Sequence, residues 1–158
     1  MSPEKSFQEQ YPPEFSHCYG CGSANDHGLH IRSFWDGDES VCVFEPRGYH
    51  TSFPGFVYGG LIASVVDCHS TGTAAAAAYR AEGREFGSDP PLRFVTASLK
   101  VDYLKPTPIG SPMVLRSRVS EVKGRKVVVE TEVKVDDVLC ARGEVVAVKI
   151  PDAMRRGK

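Results

Sequence analysis

The residues best suited to chemistry lie in a nine-residue segment that starts with Gly59-Gly60 and ends at Asp67. Glycines at the start of an apolar helix leave backbone N–H groups free, and such groups can hold the negative charge that develops on a substrate oxygen. An aspartate about two turns further along is costly to bury unless it is paired or used. Both halves of an acyl-transfer site can therefore lie in this one segment.

The helix that carries Asp67 is predicted to have two unlike faces. At 100° per residue, an apolar face forms from Leu61, Val65, Cys68, Gly72, Ala76 and Tyr79, flanked by Ile62 and Val66. Asp67 falls on the opposite face, among the small residues Ala63, Ser64, Ser70, Thr71 and Ala74. A face that is small rather than charged indicates that another structural element approaches it closely.

Asp67 has a structural and a catalytic interpretation. It can cap a loop or pair with a basic residue, or it can act as a general base or nucleophile in a partly desolvated cleft. The positions one turn away on either side are Ala63 and Thr71, which offer no basic partner. This favours the catalytic interpretation. The Gly59-Gly60 pair likewise forms either a simple tight turn or an oxyanion site.

Two reactive neighbours of Asp67 are predicted to point away from it. Adjacent helix residues point about 100° apart, and residues two positions apart point about 200° apart. His69 therefore cannot easily hydrogen-bond to Asp67, and we expect a satisfied core histidine, with a catalytic dyad as the alternative. Cys68 lies on the apolar face and is expected to pack in the core.

The segment Cys18-Tyr-Gly-Cys21 has the spacing of a zinc knuckle, with two histidines nearby. Structural zinc usually needs a second ligand pair, and Cys42 and Cys140 are isolated in the sequence. We therefore expect a glycine-rich loop here, with no metal and no cofactor in the protein.

A second basic segment, Lys123-Gly-Arg-Lys126, is predicted to turn a hairpin. It would place the side chains of Lys123, Arg125 and Lys126, called here the cationic tip, at one end of the sheet. Such a turn is either simply solvated or positioned to bind the phosphate groups of a ligand.

The order of the predicted elements indicates an α+β fold, with one helix on an antiparallel sheet. A short hairpin is predicted over residues 29–34 and 41–44, and a helix over residues 60–81. Strands follow over residues 94–104, 113–122, 127–135 and 138–148. Strict alternation in the first of these puts Val95, Ala97, Leu99, Val101 and Tyr103 on the core face, and Thr96, Ser98, Lys100 and Asp102 on the other.

One helix cannot cover both faces of a six-stranded sheet. The other face, or an edge, is therefore expected to be buried by a second copy of the chain, as in a dimer or tetramer. Within the chain we expect an N-terminal arm over residues 1–16, a domain over residues 17–150 and a tail over residues 151–158. The Pro12-Pro13 pair in the arm should preclude a helix there.

Composition narrows the setting of this 158-residue chain. A net charge of −1 gives no reason to expect nucleic acid or an anionic membrane as a partner. No apolar run approaches the roughly 20 residues that span a bilayer, and the polar N-terminus does not resemble a signal peptide. Five irregularly spaced cysteines suit a reducing compartment, so a cytoplasmic location is expected.

Taken together, four motifs resemble the PaaI-like hotdog thioesterases of the 4-hydroxybenzoyl-CoA thioesterase superfamily. They are Cys-Tyr-Gly-Cys-Gly followed by Gly28-Leu29, the run from His50 to Gly60, Asp67 seven residues after Gly60, and the run from Val95 to Pro106. The resemblance covers residues 18–148. It implies the hotdog fold, in which an antiparallel sheet wraps around one long helix and two sheets join in a dimer.

The resemblance also implies roles for individual residues. Asp67 matches the carboxylate that attacks a thioester or activates a water, the N–H of Gly59 matches the group that polarises the thioester carbonyl, and Thr96 matches a residue that places the water. In this family each site forms across the dimer interface, between Gly59 of one subunit and Asp67 and Thr96 of the other.

Two positions depart from the usual pattern of the family. Tyr58 stands where a histidine usually precedes the two glycines, and Ser52 stands where some relatives have asparagine. Together with Gly60 and the cationic tip, they are the predicted substrate-binding residues. The resemblance implies hydrolysis of acyl- or aryl-CoA thioesters; the alternatives are a non-catalytic acyl-CoA binding subunit and a hotdog dehydratase or hydratase that uses His69.

Overall fold

A computed structural model of the protein describes residues 4–151, which form one long helix and a six-stranded antiparallel sheet. The elements are β1 (Phe34–Asp36), β2 (Glu39–Phe44), α1 (Gly59–Ala81), β3 (Phe94–Tyr103), β4 (Met113–Lys123), β5 (Lys126–Val135) and β6 (Val138–Lys149). The strand order is β1-β2-β4-β5-β6-β3. This confirms the α+β architecture. The predicted tail lies outside the described residues, apart from residue 151.

The first hairpin is shorter than expected, since residues 29–33 lie outside the strands. His30 has a φ of +54°, which interrupts the extended chain. The backbone N–H groups of Leu29 and Ile31 bind the carbonyls of Tyr19 and Gly20 in the cysteine-containing loop. This segment therefore holds that loop in place instead of adding a strand to the sheet.

The N-terminal segment packs against the domain. The side chains of Phe7 and Gln8 are buried, and Gln8 exchanges two hydrogen bonds with Ser33, at 2.9 and 2.7 Å. The expectation that Pro12-Pro13 precludes a helix needs correction, because Pro13–Phe15 forms one turn of 3-10 helix. Proline is tolerated there because the first position of a helix needs no N–H donor.

The two faces of the sheet differ in chemistry. Towards α1 the strands bury apolar side chains, including Met113, Leu115, Val129, Val133, Val145 and Ala147. The outer face carries charged side chains, including Arg116, Arg118, Glu130, Glu132, Arg142 and Glu144. Solvent can cover such a face, so a second copy of the chain is not needed to bury it. Among the described residues, no helix is long and apolar enough to cross a bilayer.

The small residues on the Asp67 side of α1 are explained in part by the sheet of the same chain. Ser70 is fully buried, and its hydroxyl lies 2.7 Å from that of Thr131 on β5. Ala74 is also fully buried, in a cluster with Val127 and Val129. The close approach that the pattern predicted is therefore real, but at these positions the approaching element is β5 rather than a second subunit.

Strand β3 forms an edge of the sheet and has a bulge. It pairs only with β6, and the register shifts between Thr96 and Ser98. Before the shift Thr96 lies opposite the buried Ala147, and after it Leu99 lies opposite the buried Val145. Directly opposed residues share a face, so Thr96 and Leu99 both face the helix. The predicted strict alternation, with Thr96 on the non-core face, is wrong because the extra residue reverses it.

Candidate active site

Asp67 lies in the middle of α1 and faces the bulged part of β3. The hydroxyl of Thr96 donates to Asp67 Oδ1 at 2.5 Å, and the hydroxyl of Thr71 lies 2.8 Å from that of Thr96. Because a hydroxyl has only one proton, this arrangement requires Thr71 to donate to Thr96. Within residues 4–151 no cation forms an ion pair with Asp67. The carboxylate is therefore oriented by hydroxyl groups and keeps acceptor sites free for a water proton.

A cavity of about 380 Å³ opens beside the Asp67–Thr96 pair. Its walls include the apolar side chains of Phe15, Ala75, Leu92, Phe94 and Val95. Small-molecule sites are commonly concave and mostly apolar, with a few placed polar groups. The cavity is therefore suited to an apolar group attached to a reacting centre near Asp67.

Helix α1 begins at Gly59 without a side-chain cap. Among the described residues, neither the Gly59 nor the Gly60 amide donates a hydrogen bond. The Gly59 carbonyl accepts a 2.7 Å hydrogen bond from the hydroxyl of Tyr103 at the end of β3. The pKa of this hydroxyl is raised, chiefly by burial. The helix start is thus fixed to the sheet edge while its N–H groups stay available to an anion.

The helix keeps the two candidate groups of one chain, the Gly59 amide and the Asp67 carboxylate, apart. Gly59 and Asp67 are eight residues apart on α1, which is a rise of about 12 Å at 1.5 Å per residue. A donor and an attacking group must both reach one carbonyl at about 3 Å. One chain therefore cannot apply both groups to the same thioester.

The predicted substrate-binding residues near the helix start lie in two shallow hollows. Gly59 and Ser52 line one of about 470 Å³, with Phe53, Phe56 and Tyr103. Tyr58 and Gly60 line another, of about 620 Å³. The Tyr58 ring covers Gly60 so closely that a methyl group at position 60 would overlap it. The hydroxyl and amide of Ser52 both bind the carbonyl of Phe56, so this side chain shapes the loop.

The match to a family model decides which proteins this chain is related to. A model described as the thioesterase superfamily matches residues 54–141, more than half of the chain. The matched region contains Gly59, Asp67 and Thr96. The chain belongs to the thioesterase superfamily.

Individual relatives agree with this membership. A thioesterase superfamily protein from Shewanella loihica PV-4 is 48% identical, with a TM-score of 0.65, over 81% of this chain and 97% of its own. The PaaI protein of the E. coli phenylacetic acid degradation operon is 15% identical, with a TM-score of 0.63, over 78% of this chain and 81% of its own, which shows the same fold. The expected superfamily and the hotdog fold are thereby confirmed.

A curated relative matches only in part. Acyl-coenzyme A thioesterase THEM4 from Xenopus laevis is 37% identical over 97 residues, which are 61% of this chain and 38% of that protein. The chain thus spans about two fifths of the length of the curated relatives it matches.

The cationic tip of this thioesterase-superfamily chain does not form part of the wall of the Asp67 cavity. Its side chains are exposed, and none of them lines that cavity or forms an ion pair with another described residue. The sequence analysis overlooked another cation, Arg93, which does line the cavity and whose guanidinium lies 4.9 Å from the centre of the Phe15 ring. A basic residue directly before the strand of Thr96 was the available signal.

His69 is fully buried on the other side of α1. Its Nδ1 lies 2.7 Å from the hydroxyl of Ser33, and its Nε2 lies 3.3 Å from that of Ser40. Burial lowers the pKa of His69 to about 3, so the ring is neutral. The expected core histidine is confirmed. Because the ring does not line the Asp67 cavity, the geometry gives the dehydratase hypothesis no support.

Cys68 was expected only to pack in the core, but it also contacts two other cysteines. Its Sγ belongs to a group with those of Cys18 and Cys21, in which all three sulfur atoms lie within 4.8 Å of one another. A hydrogen bond from Cys21, and a second from Cys68, lower the pKa of the Cys18 thiol to about 2, while the pKa of Cys21 is raised to about 12, mainly by its interaction with Cys18. The three sulfur atoms therefore interact closely with one another, along one wall of the Asp67 cavity.

Proposed function

We propose that this chain is an acyl-CoA thioesterase that hydrolyses the thioester bond of an acyl- or aryl-CoA. The observation that carries the proposal is the Asp67 carboxylate, oriented by Thr96 at 2.5 Å beside an apolar cavity. The free amide N–H groups at the start of α1 supply the complementary oxyanion site. The name of the THEM4 relatives, acyl-coenzyme A thioesterase, supports the same substrate class.

The proposed mechanism divides the work between three groups. The Gly59 N–H, at the positive end of the helix dipole, stabilises the oxyanion that forms when the thioester carbonyl is attacked. Asp67 attacks the carbonyl carbon itself or removes a proton from the attacking water. Thr96 holds the carboxylate and the water in place. The positions of the three groups support these roles.

The active unit in this proposal is a dimer or a larger homo-oligomer. The rise of about 12 Å between Gly59 and Asp67 leaves each site incomplete within one chain. Strand β3, which carries Thr96, is an open edge with exposed apolar side chains at Val95, Leu99 and Tyr103. An edge of this kind favours pairing with another strand. Pairing of β3 between two copies would bring Gly59 of one towards Asp67 of the other.

The phosphate groups of coenzyme A would bind cations near the mouth of the site. The cationic tip and Arg93 are the candidates, because these cations are exposed and the tip is not neutralised by an ion pair within residues 4–151. We place the enzyme in the cytoplasm, a reducing compartment that suits its five free cysteines.

Hydrolysis of a panel of aryl-, short-chain and long-chain acyl-CoAs tests the activity. Asp67→Asn should lower kcat by at least about 100-fold, the usual contribution of a positioned acid or base, with an unchanged fold. The matched control is Asp102→Asn, since Asp102 is an exposed aspartate on β3 whose carboxylate pairs with Lys100. Near-full activity of Asp67→Asn would contradict the assignment.

The same experiment distinguishes catalysis from binding alone. The ring of Tyr58 over Gly60 narrows the approach to the helix start, which is the observation that favours a non-catalytic acyl-CoA binding subunit. Binding of CoA thioesters without turnover across the panel would support that alternative.

Light scattering tests the oligomeric state and should show a dimer or tetramer. Leu99→Lys on the exposed edge of β3 should shift the protein towards the monomer.

A further inference from the structure

We propose that Cys18, Cys21 and Cys68 form a zinc-binding site that joins the N-terminal loop to helix α1. The Sγ atoms of Cys18 and Cys68 are 3.8 Å apart, and all three sulfur atoms lie within 4.8 Å of one another. Tetrahedral zinc with Zn–S bonds of about 2.3 Å places its sulfur ligands roughly 3.8 Å apart. The three side chains thus already have the spacing of zinc ligands.

The loop that supplies two of these ligands is held by its backbone. The N–H of Gly22 donates to the carbonyl of Cys18 at 2.8 Å, which closes the turn between the two cysteines. Leu29 and Ile31 donate to Tyr19 and Gly20 within that turn. The loop is therefore shaped by the chain itself, and metal binding would cost little ordering of these residues.

Two glycines bring the loop against the helix and keep its turn tight. A methyl group at Gly20 would overlap Cys68 Sγ, so the backbone passes directly over the third thiol. A methyl group at Gly22 would lie 2.5 Å from the backbone of Cys18. Simple core packing of Cys68 does not require three thiols at one point, whereas a soft metal ion does.

The chemistry of the ligands selects the ion. Three thiolates with no carboxylate among them favour Zn²⁺ over the hard cations Mg²⁺ and Ca²⁺. Within residues 4–151 no fourth side chain of His, Cys, Asp or Glu joins the group. The fourth position would open on the cavity that these cysteines line and would be taken by a water molecule. The ion would fix the wall next to Asp67, since Cys68 is the following residue.

A disulfide is a poorer use of the same atoms. The Cys18–Cys68 pair would have to close from 3.8 Å to a bond of about 2.05 Å. It would also leave Cys21 as an unpaired thiol beside the bond. One zinc ion uses all three sulfur atoms without closing the distance between any two of them to that of a bond.

Metal binding to the full-length chain tests this proposal, independently of any thioesterase activity. Protein purified with a reductant and a chelator, then given Zn²⁺ and freed of excess metal, should retain one zinc per chain by mass spectrometry and should melt at a higher temperature than the metal-free form. Titration with Co²⁺ should produce the charge-transfer absorption of a thiolate complex and the visible bands of a tetrahedral site.

Single substitutions locate the site. Cys18→Ser, Cys21→Ser and Cys68→Ser should each weaken zinc binding by more than about 100-fold, because loss of a direct ligand should cost more than loss of a residue that only supports a ligand. Cys140→Ala is the matched control, because Cys140 is a buried cysteine that does not belong to the group of three, so its substitution should leave binding unchanged. Cys18 is exposed, so Cys18→Ser should keep the fold, which circular dichroism and thermal melting would verify.

Four results would overturn the proposal. The first three are a reduced wild-type chain that retains no stoichiometric zinc, a folded Cys18→Ser variant that binds zinc as tightly as the wild type, and a chain that binds Cu⁺ but not Zn²⁺. A disulfide between two of the three cysteines that persists through purification with reductant would also exclude the site.

Discussion

Replacing Gly59 by proline removes one backbone N–H at the start of α1 and changes little else. Proline fits the first position of a helix, where the N–H has no partner in the helix and the fixed φ is suitable. Tyr58 already has φ −61° and ψ 130°, the extended conformation that a residue before proline adopts. Gly59→Ala is the matched control: it keeps the N–H, and its methyl group would lie 3.4 Å from the Tyr103 ring, an ordinary contact.

The expected loss follows from the number of amides available. Removal of one oxyanion donor commonly costs about 100- to 1000-fold in kcat, or about 2.7–4 kcal/mol. The Gly60 amide lies next to Gly59 and is likewise free of a hydrogen-bond partner among the described residues, so it can bind part of the developing charge. We therefore expect a loss near about 100-fold for Gly59→Pro and activity close to wild type for Gly59→Ala.

The assay must avoid thiol reagents, since all five cysteines are free. Loss of the ultraviolet absorbance of the thioester gives kcat and KM directly. Circular dichroism and thermal melting would show whether the helix survives. If Gly59→Pro folds normally and is as active as Gly59→Ala, the Gly59 N–H is not the oxyanion donor and the proposed mechanism is wrong.

Mixing two inactive variants tests whether the site is shared between subunits. In a dimer of Gly59→Pro with Asp67→Asn, a shared arrangement puts both substitutions in one site and leaves the other site intact. After equal mixing and free exchange, half of the dimers are mixed and half of their sites are intact, so about a quarter of wild-type activity should return. If both groups of a site come from one chain, every site keeps a defect and no activity returns.

Further predictions concern a hydroxyl, the cationic tip, a histidine and a glycine. Thr96→Val removes the hydrogen bond to Asp67 and should lower kcat by about 10- to 100-fold, while Thr96→Ser should retain most activity in the same assay. Changing the three cationic-tip residues to glutamine should raise KM for acyl-CoA but leave kcat unchanged, and an unchanged KM would exclude the tip as a phosphate site. Burial lowers the pKa of His69 from 6.5 to about 3, so between these pH values the unfolded chain binds a proton that the folded chain does not. As the pH falls from 6.5 to about 3, the free energy of unfolding should therefore fall by up to about 1.4 kcal/mol per pH unit. Urea unfolding of His69→Gln should show a smaller fall over the same range. Gly143→Ala would overlap Val66 and should lower the free energy of unfolding in urea by about 1–3 kcal/mol. The control Gly48→Ala, whose methyl group would meet no atom within 4 Å, should leave it close to the wild-type value.

The helix and the long strands were predictable because their signals are local. The helix begins within one residue of its expected start, and each of the four long strands lies within one residue of its predicted bounds. The burial of His69 also followed from the 100° step of a helix. The first hairpin was predicted, but the late start of its first strand was not, since residues 29–33 are shaped by hydrogen bonds to the cysteine-containing loop and by the positive φ of His30.

The environment of the candidate site depends on features that a periodic pattern does not contain. The bulge in β3 turns Thr96 to the helix, although alternation counted from Leu99 places it on the other face. The convergence of Cys68 with Cys18 and Cys21 requires a loop from 50 residues away to cross the helix. A glycine within the Cys-x-x-Cys segment was a weak sign of such a crossing, since it allows close approach of a backbone.

Three consecutive residues of α1 serve three separate environments, and the helix geometry requires this separation. Asp67 faces Thr96 on the sheet edge, Cys68 faces the cysteine-containing loop, and His69 faces the buried hydroxyls of Ser33 and Ser40. Steps of about 100° send adjacent side chains in different directions. A change in any one of them acts on the other two only through the position of the helix. Substitution of Cys68 should therefore affect hydrolysis only by shifting Asp67. Its effect on kcat should be matched by substitutions of Cys18 and Cys21, which also remove a ligand of the proposed zinc ion.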